Sequence, residues 1–182
     1  MDAPAESRFA RLDRLLTRDV QMFAGVARTI AHSPYLSPMH RVRALHSLAD
    51  RTMRLVAPFM ACRAGCAACC HIALSLNELE ARAIGDATHR EPAEVSGLFD
   101  PAAEIKRWRG KPCPFLVDRT CSIYALRPLN CRLHHSLETS ADHCQHVVGS
   151  FEVHAANLSA LRDAMVTATA GFKWADMREF FP

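Results

Sequence analysis

The chain has 182 residues, of which 49% are apolar, 23% charged and 7% aromatic, and its formal net charge is +3. This composition is ordinary for a globular protein that can bury a core, and so small a charge argues against a dedicated nucleic-acid-binding protein. No run approaches the roughly 18 apolar residues of a membrane span. The first 14 residues also lack the continuous apolar core of a signal peptide. We therefore expect a cytoplasmic protein without a membrane partner.

Residues 5–31 have the periodicity of an amphipathic helix, with apolar side chains in steps of three and four. The stripe consists of Phe9, Leu12, Leu16, Val20, Phe23, Ala27 and Ile30. Two prolines within five residues then predict a turn. A second helix, with Ser37 as its N-cap and Pro38 in its first turn, is expected to continue to Pro58. The two helices predict an antiparallel hairpin over residues 1–58.

Shorter elements are predicted after this hairpin. The segment Ser75-Leu76-Asn77-Glu78 matches a capping box, so we expect a helix of about ten residues from there to Gly85. A second short helix is expected over residues 92–98, and the polar residues 101–112 predict a loop. Residues 115–124 have the pattern of a small hairpin.

The C-terminal part, residues 149–182, predicts a last long helix and an aromatic tail. The helical stripe is Phe151, Leu158, Leu161 and Met165, and the tail carries Phe172, Trp174, Phe180 and Phe181. The tail is expected to dock on the rest of the protein. The fold class predicted is therefore mainly α, a helical domain with a small hairpin, organised around a central cysteine cluster in residues 59–148. The three parts are expected to form one compact unit.

All eight cysteines lie within this central part, and four of them fall within nine residues. They are Cys62, Cys66, Cys69, Cys70, Cys113, Cys121, Cys131 and Cys144. Thiols packed this densely form disulfides or bind metal, since free thiolates would repel one another, protonate or oxidise. Because the predicted compartment is reducing, all eight are candidate metal ligands, and a disulfide framework is the weaker alternative.

The spacing also bears on how the cysteines would share metal ions. Gly65 permits a left-handed residue that lets Cys62, Cys66 and Cys69 converge. Cys69 and Cys70 are adjacent, so their side chains diverge, and either they serve two metals or one of them is not a ligand. Eight cysteines would complete two four-thiolate sites, although the count alone does not establish two metals. Each site is expected to mix early and late cysteines, with Cys144 mattering least.

Basic residues and histidines accompany the cysteines. Four thiolates around Zn²⁺ or a [4Fe–4S]²⁺ core leave a net charge of −2, which nearby cations would relieve. Four arginines that each lie within four residues of a cysteine could do so: Arg63, Arg119, Arg127 and Arg132. Five histidines could replace thiolates, although a hydrogen-bonded or solvated role is commoner for any single one. They are His71, His134, His135, His143 and His146.

The ordered series of motifs resembles the YkgJ-type cysteine-cluster family. The series is Cys62-x3-Cys66-x2-Cys69-Cys70, then Cys113-Pro114-Phe115-Leu116, Cys121-Ser122-Ile123-Tyr124, Arg127-Pro128 and Cys131-Arg132. The resemblance covers about residues 60–133 and implies a domain that chelates zinc or iron through these seven cysteines. Flagellin lysine methylases resemble the same domain and are associated with an iron–sulfur cluster, but they are longer.

Two functions remain open at this point. In the first, the metal holds the protein together or is stored or delivered, without catalysis. In the second, an iron–sulfur centre supports a redox or methyltransferase-like reaction, although the sequence shows no clear substrate pocket. The spacing of Cys62, Cys66 and Cys69 also matches radical-SAM enzymes, whose β/α barrel the helical flanks do not predict. Thiolate-rich sites suit zinc and iron–sulfur clusters alike, so the metal is not identified, and no protein partner is predicted.

Overall fold

The computed structural model describes residues 8–63, 65–97, 100–138 and 157–182. Over these ranges the chain is mainly α-helical, as predicted. The helices are α1 (Arg8–Ala31), α2 (Pro38–Val56), α3 (Glu78–Thr88), α4 (Pro101–Trp108), α5 (Leu129–Leu133), α6 (Ser159–Ala168) and α7 (Met177–Phe180). The strands are β1 (Ser75–Asn77), β2 (Leu116–Val117), β3 (Thr120–Cys121) and β4 (Trp174–Asp176).

The two N-terminal helices form as the periodicity predicts. Ser37 caps α2 by accepting a hydrogen bond from the His40 backbone N–H, and Pro38 occupies the first turn. Helix α2 ends at Val56, where a 3₁₀ turn containing Pro58 follows. Helices α1 and α2 pack against each other and against α6, and α2 also packs on α5. Their shared apolar core fixes the helical half of the structure.

A second apolar cluster lies beside the cysteines. Its buried members are Leu74, Leu76, Ala81, Ile84, Val95, Phe115, Ile123, Ala175, Met177, Phe180 and Phe181. Three cysteines, Cys113, Cys121 and Cys131, pack against this cluster. Phe180 and Phe181 are each only 2% exposed, so the aromatic tail docks as predicted.

The predicted capping box at Ser75–Glu78 is wrong by two residues. Asn77 is the N-cap of α3, and its box partner is Glu80, whose carboxylate accepts from the Asn77 backbone N–H. Residues 75–77 form β1, which pairs antiparallel with β4. This pairing keeps Ser75 extended, so the helix cannot start there.

Two other predictions fail in the segment between α3 and the hairpin. Residues 92–97 form no helix; Ala93 N–H donates instead to the Phe180 carbonyl, and Val95 is buried. Residues 101–108 of the predicted loop form α4, with Asp100 as its N-cap and Pro101 in its first turn. The Asp-Pro pair is a start signal for a helix that the polar composition obscured.

Helix α3 also runs past Gly85 to Thr88, where His89 terminates it at φ 56°. A left-handed residue at this position is the usual end of a helix.

The hairpin agrees with the prediction, whereas the last helix starts later than predicted, because residues 157 and 158 are not helical and Leu158 of the predicted stripe is the N-cap. Strands β2 and β3 pair antiparallel around Asp118 and Arg119, whose φ angles are 47° and 60°. These angles are typical of the type I′ turn that matches strand twist. Helix α6 begins at Ser159, and Phe151 of the predicted stripe lies outside the described residues. No helix among the described residues is long and apolar enough to cross a membrane.

Candidate metal centre

Six of the seven described cysteines line one cavity of about 370 Å³. They are Cys66, Cys69, Cys70, Cys113, Cys121 and Cys131. Cys62 lies outside this lining, and Cys144 lies outside the described residues. All seven described cysteines are free thiols, which gives no support to the disulfide alternative. The fold thus brings thiols from four separate stretches of the chain to one place.

The early cysteines are carried by two tight turns. Gly65 has a φ of 81°, and Cys66 N–H donates to the Arg63 carbonyl over 3.0 Å, which closes the turn that the sequence predicted. A 3₁₀ turn over Ala68–His71 then carries Cys69 and Cys70. Such a turn separates adjacent side chains, so the two thiols cannot occupy the same position in the cavity wall.

The middle cysteines are attached to this segment by the backbone. Cys113 N–H donates to the Cys70 carbonyl over 2.7 Å, and Gly110 N–H donates to the His71 carbonyl over 2.9 Å. Cys121 lies on β3, opposite Leu116 of β2. The hairpin therefore presents Cys121 to the same cavity that Cys70 and Cys113 line.

Cys131 lies on the short helix α5, which is held by buried polar contacts. The Glu80 carboxylate, 2% exposed, accepts from Leu129 N–H at the start of α5 and from the His46 Nε2, both over 2.7 Å. Arg132 contacts both Asp50 carboxylate oxygens over 2.7 and 2.8 Å. Helices α2 and α3 thereby fix the position of Cys131.

The pKa values of the thiols reflect burial and their closeness to one another. Burial raises the pKa of Cys62, Cys113 and, most strongly, Cys131. A hydrogen bond between Cys69 and Cys70 raises the pKa of Cys69 and lowers that of Cys70. Most of these buried thiols are therefore protonated at neutral pH, and a metal ion must displace their protons to bind.

The predicted central metal cluster is not formed by the side chains as they stand. Among the described residues, no group of three or more His, Cys, Asp or Glu side chains lies close enough together to hold a metal ion. The residues nevertheless fit zinc or iron in donor chemistry, because both metals take thiolate ligands. Six of the cysteines line one cavity, so movement of their side chains is what a metal site would require.

Four arginines and no carboxylate residue belong to the described lining of the cavity. Arg63, Arg119 and Arg127 are three of the four cations that the sequence singled out. The fourth, Arg132, is paired with Asp50 instead. The remaining lining arginine, Arg178, is far from every cysteine in sequence, so proximity along the chain could not identify it.

The described histidines do not line the cavity. The Nδ1 of His71 is 3.1 Å from the Ala67 carbonyl oxygen, and that of His135 is 2.8 Å from the Leu133 carbonyl oxygen. Burial lowers the pKa of His134 to about 4. His143 and His146 lie outside the described residues.

A comparison with protein families agrees with this chemistry. Residues 61–147 match the model of the CxxCxxCC family, described as "Putative zinc- or iron-chelating domain". The matched segment is a little under half of the chain. The match confirms the resemblance to the YkgJ type and supports metal chelation. No curated protein and no solved structure matches the chain. The CxxCxxCC segment holds all eight cysteines, whereas Arg178 lies outside it.

Proposed function

We propose that this protein binds zinc or iron through its cysteine thiolates, and that the metal is structural, stored or delivered. The observation that carries the proposal is that six free cysteines from four stretches of chain line one cavity. Soft thiolate donors select zinc and iron–sulfur centres over magnesium or calcium. The lining arginines supply positive charge for a site whose thiolates exceed the charge of the metal.

The thiols divide into two sets that are close enough to affect one another's titration. Besides burial, Cys66 and Cys69 raise the pKa of Cys62. Cys113, Cys121 and Cys131 oppose ionisation of Cys70, although its hydrogen bond with Cys69 prevails. We therefore assign Cys70, Cys113, Cys121 and Cys131 to one four-thiolate site, which mixes early and late cysteines, and Cys62, Cys66 and Cys69 to a second, which departs from that expectation. Cys69 adjoins both sets, because it also acts on Cys131.

Binding requires the thiols of a set to rotate inward and lose their protons. Metal–thiolate bonds are only about 2.3 Å long for zinc, so the side chains must approach more closely than they do without metal. Free Cys70 is the most readily ionised of the cavity thiols whose pKa is shifted, because Cys69 donates to it. The raised pKa of Cys113 and Cys131 means that ligation of a metal by these two thiols releases protons.

A second function is favoured by the size of the cavity. Its volume of about 370 Å³ falls in the range of small-molecule pockets and exceeds the space that one ion fills. An iron–sulfur centre with room for a substrate would support a redox or methyltransferase-like reaction. The identity of the metal distinguishes the two functions, because a zinc protein is colourless and an iron–sulfur protein purified without oxygen is brown.

A Cys→Ser series scored by bound metal per chain tests the proposal. The protein is purified without oxygen, and zinc, iron and acid-labile sulfide are counted. Cys131→Ser and Cys66→Ser are each expected to lower the metal count, because each set loses a ligand. Cys144→Ser, the comparison variant, is expected to retain it. Full retention of metal in either Cys66→Ser or Cys131→Ser would refute the scheme.

A further inference from the structure

The two chain segments that carry Cys70 and Cys113 are joined by a side chain from the C-terminal tail. Arg178 lies in α7, is 7% exposed and lines the cysteine cavity. Its Nη2 donates to the carbonyls of Cys70, Ile72 and Lys111 over 3.2, 3.1 and 2.7 Å. Its Nε donates to the Pro112 carbonyl over 3.1 Å. One guanidinium therefore contacts residues 70–72 and 111–112 at the same time.

These acceptors place the Arg178 guanidinium against the backbone of the segments that carry Cys70 and Cys113. One acceptor belongs to Cys70 itself, and another belongs to Pro112, which immediately precedes Cys113. The direct bond from Cys113 N–H to the Cys70 carbonyl lies in the same region. The relative position of these two cysteines is consequently set by backbone groups that converge on Arg178.

Asp176 holds the guanidinium in this orientation. The Asp176 carboxylate is fully buried, and its Oδ1 accepts from the Arg178 Nη1 over 2.8 Å and from the Arg178 backbone N–H over 2.9 Å. Its Oδ2 accepts from the Leu74 N–H over 2.6 Å. The Met177 N–H donates to the Leu74 carbonyl over 3.0 Å. These hydrogen bonds hold the tail against Leu74, which lies in the segment that follows Cys70.

The planar fork of arginine suits this role better than any other side chain. Its donors have a fixed geometry, remain charged at all accessible pH values and can bind several acceptors at once. Lysine has a single ammonium group and cannot reproduce contacts made from Nε and both terminal nitrogens. Substitution would leave buried carbonyls without a donor and allow the two segments to separate.

We propose that Arg178 is a positioning residue for the metal site and that the tail, residues 174–182, therefore contributes to metal binding. The inference rests on the proposed metal binding. It goes beyond the CxxCxxCC segment, which ends at residue 147. Outer groups that orient metal ligands commonly change metal affinity by about 10- to 100-fold when they are mutated.

The test measures Zn²⁺ affinity by competition with a chromophoric chelator, and the absorption spectrum of Co²⁺ bound to the thiolates. Arg178→Lys and Arg178→Met are expected to weaken Zn²⁺ binding by about tenfold or more and to alter the Co²⁺ spectrum. The matched control is Leu45→Ala, which removes a fully buried side chain in the helical core and lies outside the cavity lining. It lowers stability from a position that does not line the cavity, so a folded Leu45→Ala protein is expected to keep the wild-type Zn²⁺ affinity and Co²⁺ spectrum.

The outcomes separate this inference from the proposed function. If the wild-type protein binds no metal, the proposed function fails and the inference falls with it. If the wild type binds metal and a folded Arg178→Lys protein has the same affinity and Co²⁺ spectrum, the inference alone is overturned. Should both Arg178 variants misfold, Asp176→Asn takes their place, because it weakens the hold on the guanidinium while leaving Arg178 intact. An unchanged affinity in folded Asp176→Asn would then count against the proposal.

Discussion

At the scale of single residues, His134 shows how burial makes stability depend on pH. Loss of hydration lowers the pKa of His134 to about 4, with smaller contributions from His135 and Arg162. Between about pH 4 and pH 6.5, His134 is protonated in the unfolded chain, where its pKa is near 6.5, but stays neutral in the folded protein. The contribution of His134 is therefore fully present above about pH 6.5 and is lost as pH falls towards 4.

We predict that His134→Gln makes the stability of the protein less sensitive to acid. Between pH 7 and pH 4.5 the wild type should lose on the order of 1–3 kcal/mol more than this variant. The measurement is urea denaturation at a series of pH values. His32→Gln, a change at an exposed histidine, serves as the control and should follow the wild type. Parallel pH curves for His134→Gln and the wild type would contradict the assignment.

At the scale of elements, the end of α3 depends on a close approach between a glycine and the returning chain. A Cβ at Gly85 would lie 2.6 Å from the Arg90 carbonyl oxygen and 2.9 Å from the Pro92 Cδ. The sequence suggested that Gly85 ends the helix, but the helix continues for three more residues. Gly85 instead leaves room for Arg90 and Pro92, which pass close to α3 after the helix has ended.

We predict that Gly85→Ala destabilises the protein although alanine favours helices. The backbone oxygen cannot move cheaply, so the overpacking cost of about 1–3 kcal/mol exceeds the helix-propensity gain of about 1 kcal/mol. Gly25→Ala is the matched control, because a Cβ there meets nothing within 4 Å. It should stabilise α1 by about 0.5–1 kcal/mol. The free energies of unfolding should therefore change in opposite directions, and a stabilising Gly85→Ala would show that the contact is absent.

At the scale of the whole molecule, the proposed metal binding should link distant parts of the chain. Cys70, Cys113, Cys121 and Cys131 come from the 3₁₀ turn, the loop before the hairpin, β3 and α5. A metal shared by these elements binds only the folded state, so its binding free energy adds to the free energy of unfolding.

We predict that removing metal under reducing conditions lowers the melting temperature by about 5–10 °C. This range follows from about 2.7 kcal/mol of ligand stabilisation at 100 times Kd and about 2–4 °C per kcal/mol for a chain of this size. Thermal unfolding is followed by circular dichroism before stripping, after stripping and after metal is restored. Restoration should recover the original value. Equal melting temperatures in all three samples would mean that the metal does not hold these elements together.

Local patterns were enough to predict the N-terminal helices, the hairpin and the segment that carries the cysteines. Val42, Leu45, Ala49, Thr52 and Val56 recur at helical spacing along α2, and all five are buried. This works because helical periodicity and turn chemistry depend on residues only a few positions apart. The same locality gave the family resemblance, since its motifs are short and ordered.

Other features depend on residues that are distant in sequence. The pairing of β1 with β4 moves the N-cap of α3 to Asn77, and the contacts of Arg178 join residues 70 and 112 to the tail. No local pattern encodes these contacts, because they exist only when the chain has folded and satisfied its buried polar groups. The sequence by itself determined the kind of ligand that this protein offers. Only the tertiary structure decided which cysteines line one cavity and which side chain contacts the segments of Cys70 and Cys113, because residues far apart in the chain meet only through long-range packing.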